Sequence, residues 1–246
     1  VLAAVLACVH GVQLGTPVSY FTDSPDHIGT VRRMLAEGDA FPTDAFFRDA
    51  GPAGADPRKS LWHSGVALVC ALSHTDPLPA WRLLAALLAP LFVLNAAAFA
   101  ALLAGGVAGG GFAAAAGAWG LLLTYGGGLA TQYLREAVFA TKLADQLALA
   151  TLAALLIDLE LRSTRSRVAV VGLALGTVAV HVFGAVQFAV TFAALGAGLL
   201  LRDRAWSPSV RRLGVTSACC ALATLPDLIW RALAAYAPVN IIHTEP

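Results

Sequence analysis

From Leu83 to Ala104 the chain reads LLAALLAPLFVLNAAAFAALLA, 22 residues without a charged side chain. A helix needs roughly 20 apolar residues to cross the hydrocarbon of a bilayer, and a small soluble domain has no interior deep enough to hide several such runs. This chain has several. The candidate spans are Val1 to Thr16, Leu83 to Ala104, Phe112 to Tyr125, Leu143 to Leu161, Val168 to Val180, Gly184 to Leu201 and Leu213 to Trp230. Phe112 to Tyr125 and Val168 to Val180 are short for a bilayer, so the count is least fixed there. Composition points the same way. Hydrophobic residues make up 58% and charged residues 13%, against about a quarter charged in ordinary soluble domains, and the mean hydropathy is +0.74. The expected fold class is all-α, a polytopic transmembrane helical bundle of about seven spans. It forms a single module over residues 1–246, with a long first external loop at 17–82 that carries two interfacial helices.

A net charge of +1 leaves no basic stripe for a polyanion, which argues against nucleic acid and leaves lipids and small molecules as partners. Cys8, Cys70, Cys219 and Cys220 sit mostly inside apolar runs, and adjacent cysteines such as Cys219 and Cys220 suit neither a metal site nor an easy disulfide. They read as small packing residues. The chain begins at Val1 and ends on NIIHTEP, which suggests a fragment of a longer protein; His243 and Glu245 would then belong to an external site completed elsewhere.

Orientation follows from arginine and lysine in short loops. RSTRSR (Arg162 to Arg167) and RDRAWSPSVRR (Arg202 to Arg212) lie two spans apart, share a face, and are placed in the cytoplasm. The loop from Thr16 to Trp81, the segment TYGGGLATQYLREAVFATK, the turn at His181 and the tail after Trp230 then face outward. Ser60 to His74 is either an eighth span or a helix lying on the membrane surface. Its 15 residues and two histidines favour the surface helix.

The titratable groups collect on that outer face. In YFTDSPDHIGTVRRMLAEGDAFP, Tyr20 to Pro42, stand three aspartates, a glutamate, a histidine and two arginines. Ile28, Val31, Met34 and Leu35 recur at helical spacing and leave the arginines on another face. A carboxylate just after a membrane span lies at the depth of a lipid-linked phosphate and can act as a general base, the position of Asp23 and Asp26, with His27 beside them. The plainer alternative is that Asp23 only caps a helix. Arg58 and Lys59 suit an anionic phosphate, one as a fork and the other as a point charge, or else anchor the surface helix to headgroups. Arg135, Glu136 and Lys142 stand between two spans where a structural loop could have used Gly and Ser. His181 interrupts an apolar helix near an outer turn, where ionisable groups are functional candidates.

A span, an acidic residue, a D-x-x-x-H helix running into G-x-x-F-P, then a second amphipathic helix and the turn HTDPLPAWR together resemble the first external loop of the GT-C superfamily of membrane glycosyltransferases. That superfamily includes the dolichyl-phosphate-mannose-protein mannosyltransferases, the oligosaccharyltransferase catalytic subunits and the aminoarabinose transferases. The residues that carry the likeness are Asp23, His27, Gly38, Phe41, Pro42 and the segment Asp56 to Arg82. The resemblance implies an N-terminal module of about seven spans and transfer of a sugar from a polyprenyl-phosphate donor to an acceptor at the outer face. It makes Asp23 the base or metal ligand, with Asp26 in reserve. Arg58, Lys59, Arg135, Glu136 and His181 would meet substrate. A divalent ion, Mg or Mn, would fall to Asp23 and Glu136, although REA holds one glutamate where the superfamily often has an acidic triplet. The implied setting is a bacterial inner membrane with the site facing outside. The competing expectations are a transporter or flippase of a lipid-linked or small substrate, and a non-catalytic membrane protein that keeps the fold.

Overall fold

A computed structural model describes residues 24–40, 61–103 and 138–235, and every element among them is helical. They are α1 (Ser24–Glu37), α2 (Leu61–Ser73), α3 (Pro77–Leu103), α4 (Ala140–Leu161), α5 (Thr164–Val180), α6 (Phe183–Asp203) and α7 (Pro208–Ala235). Four of these, α3, α4, α6 and α7, are long and apolar enough to cross a membrane, which makes this an integral membrane protein. α5 has 17 residues and is about 26 Å long at 1.5 Å per residue. Of the seven predicted spans, Val1 to Thr16 and Phe112 to Tyr125 lie outside the described residues, and Val168 to Val180 falls in the shorter α5. Four is therefore the number of long apolar helices among the described residues.

The helices start earlier than the apolar runs suggest, at Pro77 rather than Leu83 and at Pro208 rather than Leu213. Their first turns, PLPA and PSVR, each open on a proline and are helical. Asp76 explains one of them: its Oδ1 accepts from the Leu78 amide at 2.9 Å, and Pro77 fills the first helical position, where its missing amide hydrogen costs nothing. α2 ends three residues before that cap. His74 adopts φ 52° and the Thr75 amide donates back to the Cys70 carbonyl at 3.1 Å, a bond that closes a left-handed helix terminus.

Residue pairs fix the arrangement. Asp158 meets Ser166, Thr151 lies beside Thr177, and Ala144 shares a cluster with Val180, so α4 and α5 run antiparallel. α3 and α4 start at the same end, where the Trp81 and Phe139 rings lie 5.9 Å apart. α5 and α7 finish there, joined by a 3.0 Å bond from Arg231 to the Ala179 carbonyl. α1 and α2 sit on this end too. Trp62 of α2 donates to the Val138 carbonyl at 2.7 Å and packs against Ala140, Ala144 and Val180. The connections α4–α5 and α6–α7, which carry the two basic loops, lie at the opposite end, where Arg212 meets Asp158.

The core of α4 to α7 is built from Leu155, Val170, Ala174, Val178, Phe188, Leu199, Val210, Leu213 and Cys220. Outside it, Leu83, Leu87, Leu91 and Leu94 form an exposed stripe along α3, the kind of surface that a lipid chain covers. α5 and α6 meet closely at their shared turn, since a Cβ on Gly184 would come 2.6 Å from the Thr177 methyl. α2, expected as a surface helix, has 13 residues and buries His63, Val66, Ala67 and Cys70 while exposing Leu61, Leu68 and Leu72. At about 20 Å it is too short to span.

Candidate site at the α1–α2 end of the bundle

α1 turns Ile28, Val31 and Met34 inward, as their spacing predicts, while Leu35 stays exposed at its edge. The inward stripe docks α1 on α2 and on the beginnings of α3 and α4: Val31 and Met34 pack with Val66, Ala67 and Cys70, and Ile28 packs with Trp81, Val138 and Phe139. Gly38, at φ 66°, ends the helix. A bidentate pair tethers α1 from outside, with Arg32 Nη2 2.8 Å and Nε 3.2 Å from the two Asp76 oxygens. The Arg32 guanidinium, the Leu78 amide and the charge of Arg32 hold the Asp76 carboxyl below its ordinary range.

This docking fixes His27. Its Nδ1 lies 2.7 Å from His63 Nε2, and the two rings stack with centroids 4.9 Å apart. Trp81 stacks on it at 5.8 Å, and Phe139 approaches at 5.2 Å. His63 is buried and His27 half-buried. A half-exposed imidazole is thus walled by three rings at the mouth of the bundle, where two apolar helices begin. Asp26 stands beside it in the first turn of α1, half-buried.

His181 lies at the same end but in a second polar group. It caps α5, accepts from the Phe183 amide at Nδ1 (3.3 Å) and stacks on the Phe183 ring at 5.4 Å. Burial pushes its pKa down, the positive charge of Arg231 pushes it further, and the negative charge of Asp145 opposes them. Around it, Gln187 Nε2 donates to Asp145 Oδ1 at 2.6 Å, and Arg231 pairs with Asp227 at 2.7 Å. Gln187 Oε1 is buried with no hydrogen-bond partner among the described residues. Farther along α3, Asn95 donates to the Gln146 carbonyl (2.9 Å) and to its side-chain oxygen (3.0 Å).

The structure thus brings His27 together with His63, Trp81 and Phe139, and His181 together with Asp145, Gln187 and Arg231. Asp23, Arg58, Lys59, Arg135 and Glu136 lie outside the described residues. Sequence reasoning missed His63 as a partner of His27 and passed over Asp145, Gln187, Asp227 and Arg231. The available signal was a polar residue in each of several apolar runs. For a divalent ion, no group of three His, Cys, Asp or Glu side chains able to hold a metal occurs among the described residues, and both ligands implied by the resemblance are outside them.

No family model matches this chain, and comparison with curated proteins and with solved structures gave no match either.

Proposed function

We propose that this protein is a GT-C-type glycosyltransferase that takes a sugar from a polyprenyl-phosphate donor and passes it to an acceptor at the outer face of a bacterial inner membrane. The observation that carries this reading is the seat of His27. It is a half-buried titratable side chain on a helix laid across the entry of α3 and α4, walled by Trp81 and Phe139. A lipid-linked sugar needs such a boundary, with apolar helix ends for the carrier and polar groups for the sugar and phosphate. In the reaction, the acceptor oxygen forms a bond to the anomeric carbon while the bond from that carbon to the phosphate oxygen breaks. The electron pair leaves with the lipid phosphate, and the hydroxyl proton passes to the protein. Asp23, with Asp26 in reserve, orients or deprotonates the acceptor. Arg58 and Lys59 stabilise the departing phosphate, a task suited to fixed positive charge. Arg135, Glu136 and His181 would contact the donor.

The test is transfer by the purified full-length protein, reconstituted in vesicles with a panel of polyprenyl-phosphate sugars. Activity lost in Asp23→Asn and retained largely in Asp26→Asn, with folding intact, is the expected result. A wild type inactive with every donor would sink the reading.

A second reading, a transporter or flippase, is favoured by a specific observation: Asn95 with Gln146, and Asp145 with Gln187, are polar pairs between apolar helices. Such groups often mark substrate or proton paths. Movement of a labelled lipid-linked sugar across vesicles without transfer, abolished by Asp145→Asn, would favour it.

A further inference from the structure

Gln187 Nε2 donates to Asp145 Oδ1 at 2.6 Å where α4 and α6 cross. A carboxylate only accepts, so the amide nitrogen must face Asp145 and the amide oxygen must face away. That oxygen, Gln187 Oε1, is buried with no hydrogen-bond partner among the described residues. The second oxygen of Asp145, Oδ2, accepts no hydrogen bond among them either. His181 adds an unspent donor. Its Nδ1 accepts from the Phe183 amide, so the hydrogen of the neutral ring sits on Nε2, which also has no partner among the described residues. Burial favours that neutral form. Asp145 follows the start of α4 at Ala140, and Gln187 the start of α6 at Phe183, so both stand roughly 6–8 Å inside the end of the bundle that holds His27. Polar groups left unmet at such a depth cost stability, and a native fold that keeps several together has a use for them.

Two acceptors and a donor side by side narrow the ligand. An anion would meet the negative charge of Asp145, and a cation the positive charge of Arg231, since both charges reach the His181 ring. A neutral molecule with several hydroxyls meets neither penalty, because each hydroxyl donates one hydrogen and accepts through its oxygen. The stacked rings of His181 and Phe183 add an apolar flank. We infer that Asp145 Oδ2, Gln187 Oε1 and His181 Nε2 form a subsite for the hydroxyls of a neutral sugar. This rests on the reading of a lipid-linked sugar as substrate, and it names side chains that hold the sugar itself. Asp145 and Gln187 accept from two hydroxyls, and His181 donates to a sugar oxygen. Such a subsite serves a protein that transfers the sugar and equally one that moves it.

Equilibrium binding to the full-length protein in nanodiscs tests this. The probes are radiolabelled farnesyl phosphodiesters of glucose, mannose, galactose and N-acetylglucosamine, beside farnesyl methyl phosphate, which has the same charge and no sugar. The wild type should bind one or more of the sugar diesters about tenfold tighter than the methyl diester. Asp145→Asn and Gln187→Leu should each cut that preference to about twofold and leave the Kd of the methyl diester unchanged, with the thermal midpoint reporting the fold. Asp145→Asn keeps the side-chain shape, so it decides alone if Gln187→Leu does not fold. Equal binding of all five lipids by the wild type overturns the inference and leaves the unmet groups to water. A sugar preference that survives Asp145→Asn overturns it too, because the sugar then sits elsewhere. Equal weakening of sugar and methyl diesters in the variants marks a structural role and likewise overturns it. A preference lost as expected, in a protein that transfers sugar to no acceptor, would instead remove the transferase reading and leave the subsite standing.

Discussion

Arg212 reaches back across 54 positions of sequence to hold both carboxylate oxygens of Asp158, Nη2 to Oδ1 at 2.6 Å and Nε to Oδ2 at 3.0 Å. Asp158 is fully buried, and its oxygens also accept from Ser166 (2.6 Å) and Thr216 (3.2 Å), while Arg212 donates to the Ser163 carbonyl. Both carboxylate oxygens and two of the three guanidinium nitrogens are hydrogen-bonded. The pair joins α4, the cap of α5 and the first turns of α7 at the end of the bundle opposite His27. Removing one member leaves the other buried without its counter-charge, a loss of about 3–5 kcal/mol. Asp158→Ala should therefore lower the thermal midpoint in detergent sharply. Replacing both residues with apolar side chains should recover much of it, since an unmet charge costs more than a missing pair. A midpoint unchanged in Asp158→Ala would contradict this account.

Asp76 gives a second prediction, one of sign rather than size. Its carboxyl is held below its ordinary value of 3.8, first by the hydrogen bond from Arg32. A group whose pKa is lower folded than unfolded contributes stability above the unfolded value and loses it as pH falls through the folded one. The contribution of the Arg32 tether should thus be complete above about pH 4 and fade below it. The side chains are half-exposed, so the effect is small. Melting in detergent between pH 5 and about pH 3, wild type against Asp76→Asn, should show the shallower acid loss in the variant. Parallel curves would mean that the tether contributes nothing.

The sidedness of the bundle is open to labelling. Asp39, just past α1, and Ala205, between α6 and α7, are both exposed and lie at opposite ends of the bundle. Single cysteines at these positions, in a background cleared of the native ones, should react with an impermeant thiol reagent from opposite sides of the membrane, Asp39→Cys from outside. Labelling of both from one side would break the assigned orientation.

The difference between what was legible and what was not lies in the range of the interactions. The long runs of α3, α4, α6 and α7 are read directly, because hydrocarbon selects every residue along them. The short helix α2 and the inward face of α1 are legible from length and from the spacing of Ile28, Val31 and Met34. Asp158 stands in the sequence as one acidic residue near the end of an apolar run, and nothing local names its partner, which is 54 residues away. His63 stayed hidden for the same reason, with 36 residues between it and His27. Gln187 stands alone in FGAVQFAV, and only the crossing of α4 and α6 sets it on Asp145. A single polar residue in an apolar run announces a partner without naming it.

His181 makes the last prediction, because its three influences push in known directions. Burial lowers its pKa from 6.5, Arg231 lowers it further and Asp145 raises it. As pH falls through 6.5, the unfolded chain takes up a proton that folded His181 refuses, so this residue makes the fold less stable on acidification. Arg231→Gln removes a downward push, so the His181 titration should move up. Asp145→Asn removes the upward push and should move it down. Histidine resonances followed against pH in both variants and the wild type check this, and the two shifts must have opposite signs. Shifts of the same sign would mean that the variants act on His181 by repacking the α5–α6 turn, where Gly184 already lies against Thr177, and not through their charges.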